Sequence, residues 1–150
     1  MRWQPGYNRL RMRPAVLFAA CVSAALVACE GPTTPLDSHE LSVAAQQVTS
    51  LAGEAQWLAQ QLREHSISAD MAWVHQQALG EDAAKVSRDL VKPVPQNLRA
   101  SYETVASLNA HLQAQVNRIA GAAHHPDELD ALERDFHSIA QQAKPLGQAS

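Results

Sequence analysis

From Leu41 onward, apolar residues recur at heptad spacing. Leu41, Val48, Ala55 and Leu62 form one row, and Ala44, Leu51, Leu58 and His65 form a second, three residues later. Two rows so spaced make one face of a helix, which predicts a first helix running to about His65. Its start is signalled by Asp37 with Glu40 three residues on, as in a capping box, and by Leu36 and Leu41 at the two positions of a hydrophobic staple. Ser66-Ile67-Ser68 reads as a turn, with Ser68 capping a second helix. The stripe of that helix is looser: Met71, Val74, Ala78, Val86 and Leu90, interrupted by Gly80. Lys92-Pro93-Val94-Pro95 stops it. A third helix begins near Gln96, with Leu98, Val105, Leu112 and Ile119 in one row and Tyr102, Asn109, Val116 and Ala123 beside it. Asn109 on that stripe suits a buried hydrogen bond that fixes register, unless it turns to solvent and Leu108 takes the core position. The fourth opens at Pro126-Asp127-Glu128, where proline suits the first turn and two acids complement the helix dipole. Its stripe is Leu129, Leu132, Phe136, Ile139 and Ala143; Pro145 is expected to end it, leaving 146–150 as a tail. No strand-like alternation separates these segments.

Four helices with short connections predict an all-α fold, an antiparallel up-down four-helix bundle over residues 37–145. At 1.5 Å per residue the first helix would be about 42 Å long and the fourth only about 27 Å. The short fourth helix would then leave the end of the bundle beside the start of the first helix as three helices, or as an open groove covered by the C-terminal tail. A three-helix bundle with a docked fourth helix is the rival arrangement.

Ahead of the bundle, Arg2, Arg9, Arg11 and Arg13 precede an apolar run, Ala15 to Ala28, that stops at Glu30-Gly31-Pro32. A basic n-region followed by a short apolar stretch is the pattern of an export signal. It falls short of the about 20 residues of a membrane-spanning helix. Leu26-Val27-Ala28-Cys29 closes the run and resembles the lipobox of bacterial lipoproteins, in which the cysteine is lipidated and becomes the first mature residue. Phe18-Ala19-Ala20-Cys21 is a poorer match, and an ordinary secretory signal with a coincidental cysteine is the plainer alternative. The start is either Met1 or Met12. The resemblance implies a signal peptide over 1–28, a lipid anchor at Cys29 and a tether over 29–36, extended by Pro32 and Pro35. It places the chain in the bacterial cell envelope. Glu30, rather than Asp, after the cysteine leans toward the outer membrane, facing the periplasm. The residues beyond Cys29 carry no family motif.

Composition narrows the chemistry. Residues 29–150 hold all 15 acidic residues against eight basic ones, a net charge of −7; the −3 of the whole chain includes the four arginines of the leader. That sign and the lack of a basic patch argue against nucleic-acid binding. Cys29 would carry lipid and Cys21 would be removed, so no disulfide is available. Seven histidines invite a metal, but the residues three before His75, His111, His125 and His137 are Ala72, Leu108, Ala122 and Arg134, so the Glu-x-x-His pairs of di-iron bundles are missing. His124 and His125 read as loop histidines, His125 as a possible cap of the fourth helix. Haem is a sharper alternative, with His65 and Met71 as ligands from the same end of the bundle. No nucleophile elbow, zinc-protease motif or free cysteine supports hydrolysis, leaving an unrecognised enzyme as the last alternative. Trp57 and Trp73 sit off the apolar rows. They are expected either to pack together between the first two helices or to form an exposed aromatic patch that marks a partner surface. The favoured expectation is a lipid-anchored, non-catalytic helical binding or accessory module without cofactor, its partner an envelope protein.

If the anchor is Cys29, Cys29→Ala leaves an uncleaved chain lacking acyl mass. Intact-mass measurement of membrane-extracted protein checks this, and a mature N-terminus elsewhere would refute it.

Overall fold

The computed structural model describes residues 34–148. The expected signal peptide over 1–28, the expected lipidation site Cys29 and residues 30–33 of the expected tether lie outside the described residues. Among the described residues there are four α-helices and no strands: α1 (Ser38–Arg63), α2 (Ala69–Asp89), α3 (Arg99–Val116) and α4 (Pro126–Gly147). Short 3-10 turns, Gln96–Leu98 and Ala120–Ala122, flank α3. None of these helices is long and apolar enough to cross a membrane.

The expected start of α1 forms in full. The Glu40 backbone N–H donates to Asp37 Oδ1 at 2.7 Å, and the Asp37 N–H donates to Glu40 Oε2 at 3.2 Å. Leu36 and Leu41 are both buried, as a staple requires. Leu36 also donates its backbone N–H to Pro93 O at 2.9 Å, tying the residue before α1 to the α2–α3 loop. Ser68 caps α2 by accepting the Met71 N–H at 3.2 Å. His125 occupies the N-cap position of α4, but its side chain makes no capping bond.

Cross-links between helices fix the antiparallel order. Arg63, at the end of α1, reaches Asp130 at 2.9 Å and Glu133 at 2.7 Å near the start of α4. At the other end, Ser42 and Gln46 of α1 both donate to Gly147 O, at 2.9 and 2.8 Å. Asn109 of α3 is buried, and its amide donates to Ala83 O and Ser87 Oγ of α2, both at 2.9 Å; Gln113 repeats the same pair of bonds one turn on. Asn109 thus fixes register, while Leu108 is buried beside it. The two roles do not exclude each other.

α1 packs against all three other helices, and most extensively against α4. Beyond the two expected rows it buries a third, Ala45, Ala52 and Ala59, all fully inaccessible. Helical spacing puts this row on the flank of Ser42 and Arg63, the residues that bond α4. Alanine there lets the two backbones approach closely. The core against which they close is filled by Phe136, Leu112, Ile119, Leu129, Leu132 and Ile139.

Two expectations about α4 are corrected. Pro145 does not end it: the helix runs 22 residues, to Gly147, against 26 for α1. Proline in an exposed last turn forfeits one backbone bond, while Leu146 is half-buried, Gly147 is buried and the Gly147 carbonyl finds two donors on α1. Leu146 and Gly147 therefore belong to the bundle and not to a tail. On the α4 side of the start of α1, the space expected to lie under a C-terminal tail is taken by Leu146 and Gly147 as a helical turn. Gly147 suits the contact, since a Cβ there would lie 2.8 Å from Gln46 Cγ.

Phe136→Ala is expected to cost about 3–5 kcal/mol, the range for truncating a buried aromatic ring, against under about 0.5 kcal/mol for exposed Gln141→Ala. Equal shifts of the urea midpoint would refute the core assignment. Glu40 also pairs with Lys92, and the Lys92 hydrogen bond, followed by the Asp37 N–H, holds its carboxyl below the usual glutamate range. A lowered folded value means stability that is complete above the unfolded glutamate value of about 4.3 and lost as pH falls through the folded one. Urea melts of the parent should therefore weaken across that window, and Glu40→Gln should flatten this part of the profile.

Candidate functional site

The second helix decides which residues reach solvent. Its buried residues are Ala72, Gln76, Leu79, Ala83, Val86 and Leu90, an unbroken alternation of four- and three-residue steps. The expected stripe of Met71, Val74, Ala78, Val86 and Leu90 merges two faces. Val86 and Leu90 are in the core, whereas Met71, Val74 and Ala78 are exposed. The inner row is hard to see because a polar residue stands in it. Gln76 is buried, and its side-chain carbonyl accepts the Ala120 N–H at 2.8 Å while its amide donates to Asn117 O at 3.4 Å. Gln76 thus satisfies the turn after α3, and this interaction rotates Met71 and Val74 outward.

The result is an apolar surface at the end of the bundle that holds the α1–α2 turn. Trp57, Met71, Trp73 and Val74 are 53%, 51%, 56% and 60% exposed. Trp57 of α1 faces Ala78 and His75 of α2 across a groove of about 250 Å3, whose rim carries Glu54 and Asp82. Met71 and Val74 share a helical row with Ala78 and extend this surface toward the turn. The two tryptophans are not packed together. Trp73 lies one and two heptads before Gly80 and Ser87, and those two face α3. Helical spacing thus puts Trp73 on the α3 flank of α2, and Trp57 borders its opposite flank. Of the two expected arrangements, burial between the first helices is ruled out. Both rings are exposed, but α2 stands between them.

The haem alternative does not fit these residues. α1 ends at Arg63, so His65 leaves the core row; it is exposed in the turn, with a left-handed backbone, φ 56°. Histidine is one of the few residues that adopts this conformation readily. Met71 faces outward, and no groove described here is lined by either residue. The interior they would need to share is occupied by packed side chains. Among the described residues no three His, Cys, Asp or Glu side chains converge as metal ligands. The carboxylates of α4 have structural roles where they are paired: Asp130 and Glu133 hold Arg63, and Glu128 holds Arg118 at 2.7 Å.

Charge is strongly segregated along the bundle. The half that holds the α1–α2 turn, residues 51–84 and 108–140, carries ten carboxylates against three arginines, a net charge of −7. The remaining described residues carry four carboxylates against five basic groups, a net charge of +1. Six of the seven histidines lie in the acidic half. No known protein family, curated protein or solved structure matches the chain.

With residues 1–28 removed, the only tryptophans are Trp57 and Trp73. Their emission is expected to be red-shifted and quenched by acrylamide, a neutral probe that the acidic end does not repel. A blue-shifted spectrum resistant to quenching would refute the exposed arrangement.

Proposed function

We propose that this chain is a lipid-anchored envelope protein that acts as a non-catalytic binding module, presenting the Trp57–Met71–Val74 surface to a protein partner. The observation that carries the reading is the position of the exposed apolar side chains. Among the described residues, four of the five large ones lie at the end of the bundle holding the α1–α2 turn; Val91 is the exception. Leu36, which ends the expected tether, is bonded to Pro93 at the opposite end of the bundle. An anchor there would hold the bundle on the membrane and direct the apolar surface away from it, toward the periplasm if the anchor is in the outer membrane. Exposed aromatic and aliphatic side chains grouped at one place lose contact with water when a partner covers them, which is where binding energy concentrates.

A photo-crosslinking residue placed at Val74 should capture a partner in intact cells, whereas the same residue at Gln141 should not. Trp57→Ser with Met71→Ser should abolish the Val74 product while leaving the unfolding free energy from urea melts within about 0.5 kcal/mol of the parent. Equal capture from both positions, or capture that survives the double change, would refute the reading.

A further inference from the structure

The chemistry of the partner follows from what surrounds the groove. Two antiparallel helices leave a furrow along their seam into which a third helix fits through apolar residues at i, i+3, i+4 and i+7. Three successive depressions follow the α1–α2 seam, the second sharing Gln47 with the first and Asp82 with the third. The apolar part of the furrow is the third, at Trp57 and Ala78, with Met71 and Val74 beyond it. The charged residues that line this third depression, Glu54 and Asp82, are of one sign, whereas Lys85 lines the second and Arg88 and Lys92 the first. Between residues 51 and 84, α1, α2 and their turn carry Glu54, Glu64, Asp70, Glu81 and Asp82, and the sole cation, Arg63, is committed to Asp130 and Glu133 of α4.

Resting on the binding surface argued above, we infer that the occupant is a cationic amphipathic helix of another protein. Its apolar face covers Trp57, Val74 and Ala78, and its lysines or arginines meet Glu54, Asp70 and Asp82. Such a partner gains on both counts, since apolar area is covered and the acidic rim attracts the approaching helix. An anionic lipid surface or a nucleic acid would meet the same carboxylates with repulsion. A second copy of this chain, docking by the same face, would set its own acidic half against this one.

The test uses the lipid-extracted protein reconstituted in phosphatidylcholine nanodiscs, with empty discs as the control, and designed peptides of roughly 18 residues, about five helical turns. One peptide has a leucine face flanked by lysines. The second keeps the leucines but replaces lysine by glutamate, and the third has the first peptide's composition in an order that destroys the apolar face. The lysine amphipathic peptide should bind, shift the emission of Trp57 to the blue in a Trp73→Phe background, and leave Trp73 unshifted in a Trp57→Phe background. Glu54→Gln with Asp82→Asn should weaken it at least about fivefold at low salt, and by less as salt rises. Equal binding of the glutamate peptide overturns the cationic assignment while the surface stands. Equal binding of the scrambled peptide overturns the groove, leaving only charge attraction. Sedimentation showing a dimer that Trp57→Ser dissolves would make a second copy the occupant and overturn the inference. If no peptide binds while the Val74 crosslink persists in cells, this inference fails and the binding reading survives. Loss of both defeats the two together.

Discussion

The close packing of α1 against α4 is the constraint on which the remaining structure depends. Alanine at positions 45, 52 and 59 removes side-chain bulk from one flank of α1. The two helices can then approach far enough for Arg63 to hold Asp130 and Glu133 at one end, and for Ser42 and Gln46 to hold Gly147 at the other. Dispersion and burial act along the seam, and the polar contacts set its register at both ends. Because the last turn of α4 is fastened in this way, Pro145 is tolerated inside the helix. The space that a shorter α4 would have left beside Ser42 and Gln46 is taken by its last turn.

α2 is held differently, and its surface follows from that. Its inner row is lined by alanines at 72 and 83 and contains one buried glutamine. Its specific links to α3 are amide hydrogen bonds from Asn109 and Gln113 and the two bonds of Gln76. Such bonds are directional, and fixing Gln76 against the turn after α3 also fixes the rotation of α2 about its own axis. Met71, Val74 and the tryptophan flank then have nowhere to go but outward. An apolar surface beside Trp57 is thus a consequence of satisfying the backbone of a neighbouring turn, at no cost in unpaired core groups along Gln76.

Charge adds direction to that surface. Among the described residues, the acidic half bears Trp57, Met71, Trp73 and Val74, and the nearly neutral half holds Val91 and the start of α1. Ten carboxylates against three arginines give the half with the α1–α2 turn a negative field that reaches beyond contact range, whereas the other half is close to neutral.

Much of this was legible in the sequence, and the misreadings have local causes. Helix number, the capping box at Asp37 and Glu40, the Ser68 cap, and the core rows of α1, α3 and α4 follow from spacing and local hydrogen-bonding chemistry, which act within a few residues. The third row of α1 was readable as Ala45, Ala52 and Ala59 but is inconspicuous, since alanine suits either face. The face of α2 was not readable, because Gln76 looks like a surface residue until a backbone N–H at Ala120 needs it. The extent of α4 depended on donors 101 and 105 residues away, and the fate of His65 on where a turn closes. The sequence by itself determined which segments are helical and where they begin, because those choices are made by near neighbours. Only the tertiary structure decided which way α2 faces, how far α4 reaches and that Trp57 and Trp73 stand apart, because distant partners must be in place before those energies exist.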